Sequence, residues 1–318
     1  MNILEKKLRE IRTLAIAGHI NPDGDCTGAV LALYHYVRRN FSDIEIRMYL
    51  EEPKDKLSYL EGFYEISHAL HEGYAPDLFV CLDAADEGRL GFAKPLLESA
   101  KDSLCIDHHI TNTRYAKDNH IETSASSTCE VLYGLFEKEK IDLKIAECLY
   151  TGIIHDTGVF KYSCTSPETM EIAADLMRKG IDFGGMIDEG YYKRSYLQTQ
   201  ILGRALLESV RFANGKCIFS AISQKTMNFF GVEGKDLEGI VSQLCNTDGI
   251  EVAIFLYETE PHVYKVSLRS RHIVDVSAIA KFFGGGGHIR AAGCTMVGTS
   301  HDIVNNISKK IFEEYKEL

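Results

Sequence analysis

The sequence predicts an α/β protein of two domains: a first domain built on a parallel sheet with helices on both faces, and a smaller α/β domain after it. The chain has 318 residues, a length that favours two domains. In its first half, short apolar segments alternate with segments of helical pattern, as in a parallel sheet. Three of those apolar segments end in an acidic residue or a histidine. The carboxyl ends of parallel strands are where such sheets place their chemistry.

The elements of the first domain follow from apolar patterning. Continuous apolar runs or alternation at period two predict four strands, at 14–18, 44–50, 78–82 and 103–106. Helical patterns predict helices at 1–8, 23–40, 129–138, 143–155 and 165–179. Between the first strand and its helix, Pro22 and Gly24 favour a sharp turn.

The pattern changes between 182 and 204, where glycines loosen the chain before a basic and aromatic stretch. We therefore expect a first domain of residues 1–183, a linker at 184–204 and a second domain of residues 205–318. The second domain is predicted to have strands at 216–220, 252–257, 263–268 and 293–297. Its predicted helices lie at 235–244, 276–282 and 302–315.

Composition excludes several classes of protein. The chain has 35 basic and 46 acidic residues and a net charge of −11, so we expect no long nucleic acid as a partner. It has no apolar run near the roughly 18 residues of a membrane-spanning helix, and its charged start is unlike a signal peptide. Nine cysteines without a Cys-x-x-Cys pair indicate reduced thiols, so a cytoplasmic protein without membrane contact is expected.

The acidic residues and histidines near the strand ends form a candidate metal site. Its members are His19, Asp23, Asp25, Asp83, His108 and Asp156. A helix cap would explain an acidic residue or histidine after one strand, but not after three strands. Four carboxylates and two imidazoles are too many ligands for one ion and suit two ions that share a carboxylate, an arrangement that acts on phosphate. Mixed ligation favours Mn²⁺, with Mg²⁺ or Co²⁺ as alternatives.

These residues also carry a family resemblance. The sequence Asn-Pro-Asp-Gly-Asp at 21–25, Asp83, the Asp-His-His triplet at 107–109 and Asp-Thr-Gly at 156–158 resemble the four motifs of the DHH phosphoesterases. The glycine-rich stretch 284–293 resembles a motif of their associated C-terminal domain. The match is closest to short members that are oligoribonucleases and also dephosphorylate 3′-phosphoadenosine 5′-phosphate. It implies an active site in the cleft between the two domains.

The resemblance implies two Mn²⁺ ions bridged by Asp83. The first ion would be completed by His19 and Asp23, and the second by Asp25, His108 and Asp156. His109 would face the substrate and protonate or polarise the leaving group. Asp107 is interpreted as orienting the imidazoles, and His155 as structural.

Substrate binding is expected mainly in the second domain. Four glycines at 284–287 could form a flexible linker, but between a helix and a strand they favour a nest of N–H groups that binds phosphate. The candidate substrate-binding residues are Arg269, His288, Gly285, Gly286, Gly287, Arg114 and Ser126.

The resemblance therefore predicts an enzyme that degrades very short oligoribonucleotides, from dinucleotides to about tetramers, to mononucleotides. Its partners would be short RNA or small nucleotides, including 3′-phosphoadenosine 5′-phosphate, and a homodimer is left open. The alternative within the family is a phosphodiesterase of linear or cyclic dinucleotide messengers. From another class, a non-catalytic nucleotide-binding regulator is disfavoured by the intact ligand set.

Overall fold

The computed structural model describes residues 2–316 and divides into two compact units, Met1–Lys193 and Arg194–Leu318. The boundary falls inside the segment 184–204 that the sequence predicts as a linker. This segment is helical along most of its length, because two short helical turns precede the boundary and a regular helix follows it. Among the described residues, none of the helices combines the length and apolar character needed to cross a membrane.

The first unit contains a five-stranded sheet in which every neighbouring pair is parallel. Its strands are β1 (Thr13–Ala17), β2 (Glu45–Tyr49), β3 (Leu78–Leu82), β4 (Asp102–Asp107) and β5 (Asp118–Ile121). Their order across the sheet is β2-β1-β3-β4-β5. The parallel sheet is as predicted, and the bounds of β3 match the prediction.

Both faces of this sheet are buried, which explains why its central strands are apolar throughout. On β1, Leu14 and Ile16 pack in one core while Ala15 and Ala17 pack in the other. The helices of the unit are α1 (Ile3–Leu8), α2 (Gly24–Asn40), α3 (Leu96–Ser99), α4 (Thr128–Leu135), α5 (Leu143–Asp156), α6 (Pro167–Arg178) and α7 (Phe183–Ile187). A π-helical turn, Asp188–Tyr192, closes the unit.

Two glycines let α2 and α5 approach closely. A Cβ on Gly28 would lie 2.5 Å from the carbonyl oxygen of Cys148, and one on Gly152 would lie 2.4 Å from Oδ1 of Asp25. Larger residues at these positions would push the helices apart. The close approach brings the start of α2, which carries Asp25, near the end of α5, which carries Asp156.

The second unit contains a six-stranded mixed sheet in the order β10-β11-β9-β8-β7-β6. Its strands are β6 (Val210–Phe212), β7 (Cys217–Ile222), β8 (Val252–Glu260), β9 (Val263–Ser270), β10 (Gly286–His288) and β11 (Ala291–Val297). Its helices are α8 (Tyr196–Leu207), α9 (Gln224–Phe230), α10 (Ile240–Cys245), α11 (Val276–Phe282) and α12 (Ser300–Glu314). Separate apolar cores lie on its two faces.

Two features of the second unit differ from the prediction. The helix expected at 235–244 is broken, because Gly239 has a φ of 82° and separates a short 3₁₀ turn from α10. The glycine run is only partly a loop. The N–H groups of Gly284 and Gly285 donate to carbonyls at the end of α11, and the residues from Gly286 onward pair with β11. A nest of four successive available N–H groups is therefore not formed.

Candidate active site

The candidate site lies at the carboxyl ends of three neighbouring strands. In the order β2-β1-β3-β4-β5, the chain leaves β1 toward β2 on one side and returns to β3 on the other. A crevice opens where the connections diverge in this way. His19 follows β1, Asp83 follows β3, and Asp107 ends β4, so the topology brings the three segments to one edge.

Asp83 lies between two histidines. Its Oδ2 is 3.4 Å from Nε2 of His19, and its Oδ1 is 3.6 Å from Nε2 of His108. The hydroxyl of Thr128 donates a hydrogen bond to the same Oδ1 at 3.1 Å. The backbone of Asp83 has a φ of 56°, a left-handed conformation that costs energy in a non-glycine residue. Nδ1 of His109 also lies 3.6 Å from Oδ1, so the strained residue places one carboxylate oxygen near His19 and the other near both His108 and His109.

The loop after β1 presents His19 and Asp23 to one side of Asp83. Nδ1 of His19 lies 2.7 Å from the carbonyl oxygen of Ile20, which directs Nε2 toward Asp83 and toward Oδ1 of Asp23 at 3.7 Å. Asp23 also caps α2, because its Oδ1 accepts the N–H groups of Asp25 and Cys26. The carboxylate therefore has one role in the helix and a second toward the histidine.

Asp25 points into a different environment. Its carboxylate accepts the N–H of Thr128 at 2.6 Å and that of Cys129 at 3.0 Å, both at the start of α4. A helix N-terminus stabilises negative charge at this position. Asp25, His108 and Asp156 lie close enough together to hold one cation.

The two successive histidines have different closest partners, although both lie 3.6 Å from Oδ1 of Asp83. Nε2 of His108 is 3.1 Å from Oδ2 of Asp156, whereas Nδ1 of His109 donates to Oδ1 of Asp107 at 2.7 Å. Asp107 also accepts the N–H of His108, and its Oδ2 accepts the side-chain amide of Asn112. Asp107 therefore orients the imidazole of His109, as expected, but contacts His108 through its backbone rather than its ring.

The crowding of acidic groups shifts several pKa values. Burial lowers the pKa of His19, but contact with Asp23 and Asp83 outweighs it and raises the pKa to about 10. Burial also lowers the pKa of His108, and its acidic neighbours likewise raise it to about 10. Burial, with the nearby Asp83, raises the pKa of Asp156 to about 6 and that of Asp25 well above its usual range. The site therefore has more negative charge than the protein compensates for, as a cation site requires.

The donor set fits divalent metal ions. His19 and Asp83 form one potential ligand group together with the thiol of Cys26, and Asp83 also belongs to a group with Asp107, His108 and His109. The buried Nε2 of His108 is not aligned for a hydrogen bond with any described residue. Imidazole nitrogen with carboxylate oxygen suits Mn²⁺, Co²⁺ or Zn²⁺ better than Mg²⁺.

The predicted substrate residues occupy two settings. In the first unit, Arg114 is exposed, while the buried hydroxyl of Ser126 donates to Glu130 at 2.5 Å, so Ser126 supports the contact between α4 and its surroundings. In the second unit, His288 pairs with Ala291, which pairs in turn with Arg269. Directly opposed residues share a face of a sheet, so Arg269 and His288 lie on one face. Their Cα atoms are about 10 Å apart, two strand spacings, with a small alanine between them.

Some contacts of the site were not anticipated. The N–H groups of Thr128 and Cys129 hold Asp25, Asn112 holds Asp107, and the Cys26 thiol lies beside His19. The helix-start pattern Ser-Ser-Thr-Cys-Glu at 126–130 was the available signal for the first of these, since a helix N-terminus is an anion site. No comparable pattern marks Asn112.

Comparison with known proteins agrees with this geometry. Residues 13–153 match the DHH family N-terminal domain, and residues 214–317 match the DHHA1 domain. A probable bifunctional oligoribonuclease and PAP phosphatase NrnA of Streptococcus mutans is 29% identical over 98% of this chain and 96% of its own length. A bifunctional oligoribonuclease and PAP phosphatase NrnA of Thermus thermophilus is 29% identical over 95% of this chain and 90% of its own.

A solved structure extends the comparison. An exopolyphosphatase-related protein from Bacteroides fragilis matches with a TM-score of 0.88 and 26% identity, covering 98% of this chain and 95% of that one. The two domain models are matched in order, and the similarity to the relatives runs over nearly the whole chain. The chain belongs to the DHH family of phosphoesterases and is a metal-dependent hydrolase with a DHH domain followed by a DHHA1 domain.

Proposed function

We propose that this phosphoesterase cleaves very short oligoribonucleotides, from dinucleotides to about tetramers, to mononucleotides with two divalent metal ions. We include removal of the 3′-phosphate of 3′-phosphoadenosine 5′-phosphate in the proposal. The observation that carries it is the position of Asp83, whose two oxygens face His19 and His108 separately. The relatives named oligoribonuclease and PAP phosphatase support the same class of substrate.

The proposed ligands divide into two sets that share Asp83. One set adds His19 and Asp23, and the other adds Asp25, His108 and Asp156. Mn²⁺ is the proposed ion, because the sets combine imidazole and carboxylate donors. When bound, divalent cations offset negative charge on the phosphate oxygens and lower the pKa of the attacking water.

His109 is proposed as the general acid. The hydrogen bond to Asp107 raises the pKa of His109 above its usual value, which favours the protonated form that a general acid needs. Because Nδ1 donates to Asp107, Nε2 is the atom left to face the substrate. A proton on Nε2 would pass to the leaving oxygen as the phosphate ester bond breaks.

Arg269 and His288 are proposed to bind the substrate's other phosphate. Leu268 and Ala292 pack in the core on one face of the sheet, and Arg269 and His288 lie on the other face, at the side of the sheet beyond the second core over β7 and β8. Two donors on strands whose backbones are about 10 Å apart suit one nucleotide end rather than a long backbone. The net charge of −11 gives longer RNA no further attraction.

The proposal is tested by initial rates with Mn²⁺ on four substrates. These are a linear diribonucleotide, its cyclic form, 3′-phosphoadenosine 5′-phosphate and a 24-residue RNA. We expect the linear dinucleotide and 3′-phosphoadenosine 5′-phosphate to be hydrolysed and the 24-mer to be cut slowest. A preference for the cyclic form would favour the messenger phosphodiesterase instead, and a rate that rises with RNA length would contradict the proposal.

A further inference from the structure

His155 packs directly against the loop that carries Asp23 and Asp25. A Cβ placed on Gly24 would lie 2.1 Å from Cγ of His155 and 2.2 Å from its Cδ2. The imidazole therefore rests on the backbone of Gly24, between the two aspartates. His155 also directly precedes Asp156 at the end of α5. One side chain thus contacts the loop of two proposed ligands and adjoins a third in sequence.

The ring of His155 also contacts the ring of Tyr191. The two ring centroids are 5.6 Å apart with an interplanar angle of 67°, an edge-to-face contact. Tyr191 belongs to the π-helical turn Asp188–Tyr192, whose last hydrogen bond runs from the N–H of Lys193 to the carbonyl of Asp188. π-helical turns are rare in proteins, and many of those that occur lie at functional sites.

The π-helical turn is itself attached to α5 one turn earlier. Thr151 and His155 are four residues apart, so they share a face of the helix. The hydroxyl of Thr151 lies 2.9 Å from the hydroxyl of Tyr59, and a Cβ on Gly190 would lie 2.8 Å from that same Tyr59 oxygen. The turn is therefore held at two adjacent points, and Tyr191 is placed on His155 by its neighbours.

We propose that Tyr191 and His155 are positioning residues that hold the Asp23–Gly24–Asp25 loop in the conformation that binds metal. Neither side chain is a ligand in the proposed metal sets. Without the Tyr191 ring, His155 can rotate away from Gly24, and the loop loses the surface against which it is packed. The inference rests on the metal-binding part of the proposed function and does not depend on which phosphate ester is cleaved.

The test is calorimetric titration of Mn²⁺ into the metal-free full-length protein and its variants. Residues that support metal ligands typically change metal affinity by about 10- to 100-fold. We expect weakening in that range for Tyr191→Ala and His155→Ala. Tyr191→Phe keeps the ring and should bind Mn²⁺ as the unaltered protein does. Tyr64→Ala is the matched control, because Tyr64 is an exposed tyrosine of the same unit.

A double substitution tests the contact itself. Gly24→Ala inserts a methyl group into the His155 ring, so it should weaken Mn²⁺ binding more than His155→Ala does. In the double variant Gly24→Ala/His155→Ala the space is free, and binding should recover relative to Gly24→Ala alone. If the loss of Mn²⁺ affinity in the double variant equals the sum of the losses in the two single variants, the contact between Gly24 and His155 does not cause them.

Activity separates a positioning role from a general structural one. At saturating Mn²⁺, Tyr191→Ala should regain most of its kcat, with an unchanged KM for the dinucleotide. A raised KM with normal Mn²⁺ affinity would overturn the inference, because it would mean that Tyr191 serves the substrate. Normal Mn²⁺ affinity in both alanine variants would overturn the inference while leaving the proposed function intact. Failure of the unaltered protein to bind Mn²⁺ would overturn both.

Discussion

The two regions proposed to handle phosphate are built in opposite ways. In the first unit, side chains of the candidate metal site are fixed by other groups: Asp25 by two backbone N–H groups, His109 by Asp107, and Asp83 by Thr128. In the second unit, His288 lies exposed on a three-residue edge strand. A reacting centre needs fixed geometry, whereas a group that recognises a phosphate can adapt to it. The comparison predicts that substitutions in the first region damage chemistry on every substrate, and those in the second only on substrates long enough to reach it.

The largest effect is expected for Asp83→Ala. The change removes the carboxylate shared by the two proposed ligand sets, so both should weaken and turnover should fall below detection. Calorimetry with Mn²⁺ measures the two sites directly. Asp86→Ala is a control of the same residue type three positions on, since Asp86 caps a 3₁₀ turn instead. Two undisturbed Mn²⁺ sites in the Asp83 variant would contradict the bridging assignment.

His109→Ala should have the next largest effect and should leave metal binding nearly unchanged. A positioned general acid contributes about 10²- to 10⁴-fold to rate, so kcat should fall within that range. The loss should shrink on a substrate with a good leaving group, such as a nitrophenyl phosphodiester, because that leaving group needs no proton. Loss of bound Mn²⁺ in parallel with activity would make His109 a ligand instead.

The features of this site that depend on local sequence are predictable, whereas those that depend on contacts between distant segments are not. Buried parallel strands are continuous apolar runs, so β3 and the acidic residue after it are predictable from local pattern alone. The strand β5 is not, because Asp-Asn-His-Ile is a polar edge segment that pairs only through β4. The hydrogen bonds from the start of α4 to Asp25 are not predictable either, because their donors lie more than 100 positions from Asp25 in the sequence. His155 was interpreted as structural from the sequence, and its contact with Gly24 was not predictable because that contact exists only after α5 packs on α2.

The second region is tested by Arg269→Ala and His288→Ala. A hydrogen bond to a charged group contributes about 1.5–3 kcal/mol, so each change should lower kcat/KM for a dinucleotide by roughly 10- to 150-fold. Hydrolysis of a small phosphodiester that contacts only the metal site should stay near the unaltered rate. Lys265→Ala is the matched control, because Lys265 is an exposed cation on the same face of β9, four residues before Arg269. Equal losses on the long and short substrates would show that these residues support the fold.

The smallest effect concerns the stability of the metal-free protein. The pKa of Asp156 is raised to about 6, above its value in the unfolded chain, so its contribution is complete below about pH 4 and is lost as the pH rises through 6. The pKa values of His19 and His108 are raised to about 10, so their contributions are complete below about pH 6.5 and are lost as the pH rises toward 10. All three groups therefore make the metal-free protein less stable as the solution becomes more alkaline.

Metal binding should reverse this trend, because Mn²⁺ needs neutral imidazoles and ionised carboxylates and releases the protons they hold. We expect the rise in Tm caused by Mn²⁺ to be several degrees larger at pH 8.5 than at pH 6, measured by thermal unfolding with Mn²⁺ or with a chelator. Asp83→Ala should lose most of the Mn²⁺ effect at both pH values, whereas Arg269→Ala should keep it in full. That contrast would separate the two regions without any substrate, since only the first is proposed to bind metal. A Mn²⁺ effect that is the same at pH 6 and pH 8.5 would mean that the ion binds away from these three groups.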